Sequence, residues 1–228
     1  MKYCFIFPHA GALRSDYKNF EKSLEGHCKC LYYSREEFMS SDWRTNIQSS
    51  FEFIKSHLAN TNEDYIIIGH SMGAMQAFFT ASMLESSNMR KPSRVILSSM
   101  YPPNITNIRD LEILVSLDIN KFTDEIIKLG GIPKQILERK DLLGFFINRI
   151  KEDISKMKDL KASEEKLESR VICLAGADDK KYSFLKMNEW SSFANHPLET
   201  KVFNGGHFYI INIYQEVADY IKTILAKE

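Results

Sequence analysis

One short segment of the sequence has the residue types and spacing of a nucleophilic site. Residues 69–73 read Gly-His-Ser-Met-Gly, a G-x-S-x-G pattern centred on Ser71. A β-branched run at residues 65–68 precedes it, and an apolar helical pattern at residues 72–84 follows it. A sharp turn from a strand into a helix exposes a serine hydroxyl, and small neighbours leave room for the backbone. The segment therefore predicts that Ser71 is a nucleophile, in preference to a serine that only caps a helix.

A serine nucleophile needs a histidine as general base, and the position of Ser71 eliminates most candidates. After a G-x-S-x-G turn, the acid and the histidine follow the serine in chain order. Of the six histidines, only His196 and His207 follow Ser71. His207 comes after a predicted strand and a flexible Asn-Gly-Gly turn, whereas His196 precedes a proline on the approach to that strand. We therefore predict His207 as the base, with His196 as the alternative.

The base needs a carboxylate, and two aspartates stand where one is expected. Asp178 and Asp179 occupy the loop after the predicted strand at residues 170–175. A carboxylate in this loop would hold the imidazole in one tautomer and stabilise its protonated form. Only one of two adjacent side chains can point at the histidine, so both are candidates. We favour Asp179, which leaves Asp178 as a loop residue or a helix cap.

Two backbone amides are candidates for binding the negative oxygen of a reaction intermediate. The first is the amide of Met72, which directly follows the nucleophile. The second is the amide of Ala10, in the segment FPHAGA that follows the N-terminal apolar strand. Small residues in that segment allow the backbone to approach a ligand closely, although a plain strand-to-helix turn is the alternative. We interpret His9 as a pocket wall rather than a catalytic group.

The elements that position these residues alternate along the chain. Apolar strand patterns occur at residues 2–7, 28–33, 65–68, 94–99, 170–175 and 199–203. Helical patterns occur at residues 17–24, 45–59, 72–84 and 214–225. Alternating strands and helices with nearly continuous apolar strands predict an α/β fold, a mostly parallel central sheet with helices on both faces.

The stretch between the fourth and fifth strands has helical patterns and no convincing strand. It is too long for a bare loop in a compact domain. We therefore predict a helical insertion at about residues 104–168, which covers the sheet edge that carries the candidate residues. The whole chain, residues 1–228, is predicted to form a single domain. The apolar faces of these helices either line a ligand pocket or pack on the core, and we favour packing.

The composition excludes several classes of protein. Of the 228 residues, 44% are hydrophobic and 26% are charged, as in ordinary globular chains rather than disordered or collagen-like ones. The 30 basic and 30 acidic residues balance, so we expect neither nucleic acid nor a membrane surface as a partner. No run approaches the about 18 apolar residues of a membrane span, and no secretory leader precedes the first strand, so we expect a cytoplasmic protein.

The four cysteines show no CxxC spacing, and we expect them to be reduced. Cys28 and Cys30 are two residues apart in a predicted strand, so both point to one face of the sheet. A metal-binding pair and two small buried side chains are both interpretations of this spacing. We favour burial, and the sequence by itself predicts no metal site.

Five segments together resemble the type II thioesterases that accompany nonribosomal peptide and polyketide synthases: FPHAGA, GHSMGA, GGIPKQIL, GADDKK and GGHFYI. The resemblance extends from residue 7 to about residue 211. It implies an α/β-hydrolase fold with a helical lid. It also implies that Ser71, Asp179 and His207 form the catalytic triad and that FPHAGA is the oxyanion loop.

The same resemblance implies a function. Enzymes of this family hydrolyse acyl or aminoacyl thioesters from the phosphopantetheine arm of carrier proteins, and thereby edit misprimed synthase modules. It implies acyl or peptidyl carrier protein domains as partners and no cofactor, because the phosphopantetheine arm belongs to the substrate; we expect a monomer. One alternative is another serine carboxylesterase or acyltransferase that acts on small acyl substrates. A noncatalytic carrier-binding module is a further alternative, which the complete set of serine, aspartate and histidine disfavours.

Overall fold

The centre of the protein is a six-stranded parallel sheet. The computed structural model describes residues 2–34, 42–87, 89–105, 108–130, 132, 134–157, 160 and 165–226. The strands are β1 (Lys2–Phe7), β2 (Cys28–Tyr32), β3 (Tyr65–His70), β4 (Arg94–Ser98), β5 (Arg170–Gly176) and β6 (Glu199–Phe203). Their order is β2-β1-β3-β4-β5-β6, and every neighbouring pair is parallel. The predicted α/β fold with a parallel central sheet is therefore confirmed.

Helices follow each strand in the sequence except where the insertion adds several, and some of them cover both faces of the sheet. They are α1 (Arg14–Ser23), α2 (Trp43–Leu58), α3 (Met72–Ser86), α4 (Ile108–Ser116), α5 (Ile119–Leu129), α6 (Lys134–Leu137), α7 (Lys140–Lys156), α8 (Phe184–Met187), α9 (Tyr209–Asn212) and α10 (Tyr214–Leu225). A 3₁₀ helix, Asn188–Phe193, follows α8. None of the helices in the described part of the chain combines the length and the apolar composition that crossing a membrane requires.

The side chains of successive strand residues lie in two separate hydrophobic cores, one on each face of the sheet. On β3, Ile67 belongs to a core on the face covered by α2 and α3, whereas Ile66 and Ile68 belong to the core against α1 and α10. This alternation follows from the two-residue repeat of a strand. Because both faces are covered, all six residues of β3 are buried. The turn that follows β3 therefore begins at the end of a fully packed strand.

Two helices begin earlier than their apolar spacing indicates. The predicted helix at residues 17–24 begins at Arg14, because the Asp16 carboxylate accepts the N–H of Leu13 at 2.8 Å. The helix predicted from residue 45 begins at Trp43, because the carboxylate of Asp42 accepts the N–H of Thr45 at 2.8 Å. In both cases a polar group satisfies a backbone donor that the first turn leaves unpaired, a signal that apolar periodicity does not carry.

Helices α4 to α7 lie between β4 and β5, where the sequence predicts an insertion. Phe122, Ile126 and Ile147 form a small buried cluster between α5 and α7. Gly131 and Pro133 of the GGIPKQIL segment lie outside the described residues. The bounds of the insertion, its role as a lid and the single-domain organisation remain predictions.

Candidate active site

Ser71 stands in a strained turn between β3 and α3. Its backbone has φ 55° and ψ −124°, a conformation that costs a non-glycine residue about 1–3 kcal/mol. Its N–H donates to the carbonyl of Ser98 at 2.8 Å, which helps to hold the turn. A Cβ at Gly69 would lie 2.1 Å from the carbonyl oxygen of Gly73, and a Cβ at Gly73 would lie 2.1 Å from that of Phe7. The two glycines of the motif are therefore steric requirements of this turn.

His207 reaches the serine from the loop between β6 and α9. Its Nε2 lies 3.0 Å from Oγ of Ser71, and its Nδ1 lies 2.8 Å from Oδ2 of Asp179. The three side chains therefore form one continuous hydrogen-bonded row, with His207 and Asp179 buried. In this row, the imidazole is oriented by the carboxylate on one side and meets the hydroxyl on the other.

Backbone hydrogen bonds join the loop of the acid to the loop of the histidine. The N–H of Ala177 donates to the carbonyl of Phe203 at 2.8 Å, and the N–H of Asp178 donates to that of Gly205 at 2.9 Å. These bonds extend the pairing of β5 with β6 into the two loops. The separation of Asp179 and His207 is thus set largely by the sheet.

The structure distinguishes the two candidate aspartates. Asp178 is exposed to solvent, whereas Asp179 is buried and bonded to His207. The other carboxylate oxygen of Asp179 accepts the N–H groups of Lys181 and Tyr182, at 3.1 and 3.0 Å. Burial by itself raises the pKa of Asp179, but the hydrogen bonds from His207 and the backbone outweigh it and lower the pKa overall. The carboxylate is therefore ionised and held in place.

Aromatic rings enclose the imidazole of His207. The ring of Tyr182 stacks on it with centroids 5.2 Å apart, and the ring of Phe208 meets it edge-on at 4.9 Å. Both contacts restrict rotation of the imidazole and exclude water from its faces. The sequence analysis did not single out Tyr182 or Phe208, because ring contacts depend on packing that the spacing of residues does not reveal.

Two further buried histidines border the site. His9 forms a 3.0 Å hydrogen bond with the hydroxyl of Tyr17, and burial lowers its pKa to about 3, helped by the nearby His207. His70 forms a 2.8 Å hydrogen bond with Ser98, and burial lowers its pKa well below the usual value. Both rings are therefore neutral at neutral pH. His9 lines the pocket at Ser71, the position that the sequence analysis assigned to it.

The two predicted amide donors face the same pocket as the serine. Met72 is the first residue of α3, so its N–H has no partner within the helix and lies at the positive end of the helix dipole. Ala10 and Met72 both line the pocket that contains Ser71 and His207.

One residue that the sequence analysis missed holds the loop of Ala10. Asp153 on α7 is 2% exposed, and its Oδ2 accepts the N–H of Gly11 at 2.8 Å. This contact joins residues 142 positions apart. The sequence carried a usable signal, because Asp153 falls on the buried side of α7 together with Ile147, and a buried carboxylate requires a hydrogen-bond or ion-pair partner.

The pocket at Ser71 has an apolar wall. That wall consists of side chains from α4, α5 and α7 and the residue after α7: Leu111, Leu114, Ile126, Leu129, Ile150, Ile154 and Met157. A neighbouring pocket shares His9 and Met72 with it and extends towards Trp43. Several of these side chains also pack in buried clusters, so the apolar faces of the inserted helices both line the pocket and have the packing role that we favoured from the sequence. Chemically, the site offers a hydroxyl with a base, amide donors and space for an apolar group.

Comparison with known proteins shows which family the chain resembles. A family model described as a thioesterase domain matches residues 3–225. Thioesterase PikA5 of Streptomyces venezuelae is 26% identical over 228 residues, which cover 96% of this chain and 79% of that protein. The residues matched by the family model include Ser71, Asp179 and His207.

Solved structures of similar shape agree on the fold. ClbQ from the colibactin NRPS/PKS pathway is similar with a TM-score of 0.86 and 20% identity, over 99% of this chain and 97% of that one. BorB, a type II thioesterase from the borrelidin biosynthetic cluster, has a TM-score of 0.82 and 21% identity, over 98% and 92% of the two chains. The α/β-hydrolase fold that the sequence segments imply is confirmed by these similarities.

Proposed function

Since this chain belongs to the thioesterase family and is therefore a serine hydrolase that acts on thioesters, we propose that it releases acyl or aminoacyl groups from carrier proteins. In this proposal the thioester is carried on the phosphopantetheine arm of an acyl or peptidyl carrier domain. Hydrolysis clears misprimed or stalled units and regenerates the free thiol. The similarity to PikA5 and to the type II thioesterase BorB supports this substrate class.

The first half of the reaction forms an acyl-serine. His207 removes the proton from Ser71, whose oxygen attacks the thioester carbonyl carbon. The amides of Met72 and Ala10 bind the resulting oxyanion, and Asp179 stabilises the protonated imidazole. The carbon–sulfur bond then breaks, and the thiolate that leaves with the phosphopantetheine arm takes the proton from the imidazole, so that His207 is again neutral. Thiolate is a good leaving group, so this step needs little help from a general acid.

The second half restores the enzyme with water. His207 takes a proton from a water molecule, whose oxygen attacks the carbonyl carbon of the acyl-serine. The amides bind the second oxyanion in the same way. The bond between the carbonyl carbon and Oγ of Ser71 then breaks, the hydroxyl regains its proton from the imidazole, and the carboxylic acid leaves. No cofactor takes part in either half.

The inserted helices supply the binding site for the acyl group. Their apolar side chains face the carbonyl position at Ser71, so an acyl chain bound there removes apolar surface from water. We assign the lid role to α4–α7 on this basis. All the reacting groups come from one chain, which supports a monomer as the working unit.

The observation that carries the proposal is the hydrogen-bonded row of Ser71, His207 and Asp179 at the floor of an apolar pocket. The direct test is a hydrolysis panel of acetyl, longer acyl and aminoacyl groups loaded on a purified carrier protein, with Ser71→Ala as the inactive control. We expect faster release from the carrier protein than from small free esters of the same acids. Faster hydrolysis of the free esters would contradict the proposal and favour a carboxylesterase.

A further inference from the structure

Three cysteine thiols meet on two neighbouring strands, away from the catalytic edge. Cys4 on β1 pairs in register with Cys30 on β2, and Cys28 lies two residues before Cys30 on the same face. The Sγ atoms of Cys4, Cys28 and Cys30 all lie within 4.8 Å of one another, and those of Cys28 and Cys30 are 3.9 Å apart. The sequence showed only the pair on β2, because the pairing that adds Cys4 is a property of the sheet.

The spacing of the sulfurs suits a soft metal ion. A metal–sulfur bond of about 2.3 Å places two thiolate ligands roughly 3.8–4.0 Å apart in tetrahedral or trigonal geometry. The 3.9 Å between Cys28 and Cys30 already falls in this range. Thiolate donors select Cu⁺ and Zn²⁺ over hard cations such as Mg²⁺ and Ca²⁺.

The surroundings of the cluster are closed on one side and open on the other. Cys4 is fully buried and Cys28 is 4% exposed, whereas Cys30 is half-buried and gives access from solvent. Glu21 on α1 interacts electrostatically with Cys30. Its Oε1 is buried and has no hydrogen-bond partner among the residues that the structure describes. The other oxygen of this carboxylate, Oε2, forms an ion pair with Arg14 at 3.8 Å, which offsets part of its negative charge near the cluster.

A disulfide between the two cysteines of β2 does not fit the same geometry well. Residues two apart in a strand have Cα atoms about 6.6 Å apart, near the upper limit of about 6.8 Å for a disulfide. Their side chains also run parallel from one face of the sheet. The arrangement is therefore better suited to three ligands of one ion than to a Cys28–Cys30 bond.

We propose that Cys4, Cys28 and Cys30 form a binding site for a soft d¹⁰ metal ion, Cu⁺ or Zn²⁺, which ties the edge strand β2 to β1. On binding, each thiol loses its proton to solvent and forms a sulfur–metal bond, with no change of oxidation state. The three sulfurs complete the coordination of Cu⁺, whereas Zn²⁺ binds a fourth ligand from solvent at the side of Cys30.

This site is separate from the proposed hydrolysis. Ile66 on β3 pairs with Cys4, and Ser71 follows Ile66 by five residues. At about 3.3 Å per residue along a strand, the two sites are therefore roughly 16 Å apart. Metal binding is therefore expected in the Ser71→Ala variant as in the wild type. Failure of either proposal leaves the other intact.

The test is a titration of the fully reduced protein under anaerobic conditions, separately with Zn²⁺, with Cu⁺ and with Cd²⁺ as a spectroscopic substitute. We expect one ion per chain, a thiolate-to-metal charge-transfer absorption and a higher melting temperature. Cys28→Ser and Cys30→Ser should each lower the affinity by about 100-fold or more, since even outer-shell changes cost about 10–100-fold. Cys173→Ala is the matched control, because Cys173 is a buried free cysteine on β5, away from the cluster.

Each alternative result overturns the proposal. It is wrong if no saturable binding occurs in the reduced protein, or if Cys28→Ser and Cys30→Ser bind as tightly as the wild type. Equal loss of binding in Cys173→Ala would show that binding reflects scattered thiols rather than this cluster. Circular dichroism of each variant separates the loss of a ligand from the loss of the fold. The metal that binds more tightly in competition with a chelator identifies which of the two ions the site prefers.

Discussion

The floor and the wall of the pocket are built in different ways. The floor consists of side chains at the carboxyl ends of β3, β5 and β6, where backbone pairing and strained turns hold Ser71, Asp179 and His207. The wall consists of apolar side chains from α4, α5 and α7, which pack without directional bonds. We therefore propose that the chemistry and the substrate range depend on separate parts of the chain. Changes to the floor should abolish the reaction, whereas changes to the wall should redirect it.

Removal of the nucleophile should have the largest effect. Ser71→Ala deletes the attacking oxygen, so we expect kcat/KM for thioester hydrolysis to fall by about 10³-fold or more. The melting temperature should stay the same or rise, because the hydroxyl is not required for packing and the strained turn remains. The measurement is steady-state hydrolysis with a parallel thermal scan. A variant with wild-type activity would eliminate Ser71 as the nucleophile.

The adjacent aspartates give the next test, with a control supplied by the chain itself. Asp179→Asn permits the wrong tautomer of His207 and removes the charge that stabilises its protonated form. We expect kcat to fall by up to about 10⁴-fold. Asp178→Asn alters an exposed side chain and should change kcat by less than about twofold. Equal losses in the two variants would contradict the assignment of the acid.

Asp153 tests the hydrogen bond between α7 and the loop that follows β1. Asp153→Ala removes the acceptor for the N–H of Gly11, so the loop that carries the Ala10 amide should lose its position. We expect kcat to fall about 10- to 100-fold with a smaller change in KM, below the about 10²–10³-fold loss of a complete oxyanion donor. Asp153→Asn keeps an acceptor oxygen and should recover much of kcat. An equal loss in both variants would argue against a positioning role of this hydrogen bond.

The wall should give the smallest effect, and one that depends on the substrate. Ile126 is 5% exposed and lines the pocket, whereas its neighbour Ile127 is 39% exposed. Ile126→Ala enlarges the pocket, so the preference between short and long acyl groups should shift by about 10-fold, since each methylene is worth about 10–200-fold. Ile127→Ala should leave the preference unchanged. A uniform loss for all acyl lengths in Ile126→Ala would indicate damage to the floor rather than a changed wall.

Much of the fold was predictable because its signals are local. Each predicted strand is present to within two residues, since a run of apolar residues flanked by turn residues is sufficient to define a buried strand. Helix starts were less predictable, because they depend on polar caps such as Asp42. The pocket role of the inserted helices was not predictable, because an apolar helix face has the same pattern whether it meets a core or a cavity.

The sequence by itself determined the thioesterase family, the turn at Ser71 and the chain order that selected His207, because these depend on neighbouring residues and on their order. Only the tertiary structure decided between Asp178 and Asp179, since the choice rests on which side chain β5 and β6 turn towards the imidazole. It also brought Asp153 to Gly11 and Cys4 to the other two thiols. These contacts arise from strand register and helix packing between distant segments, which no local pattern encodes.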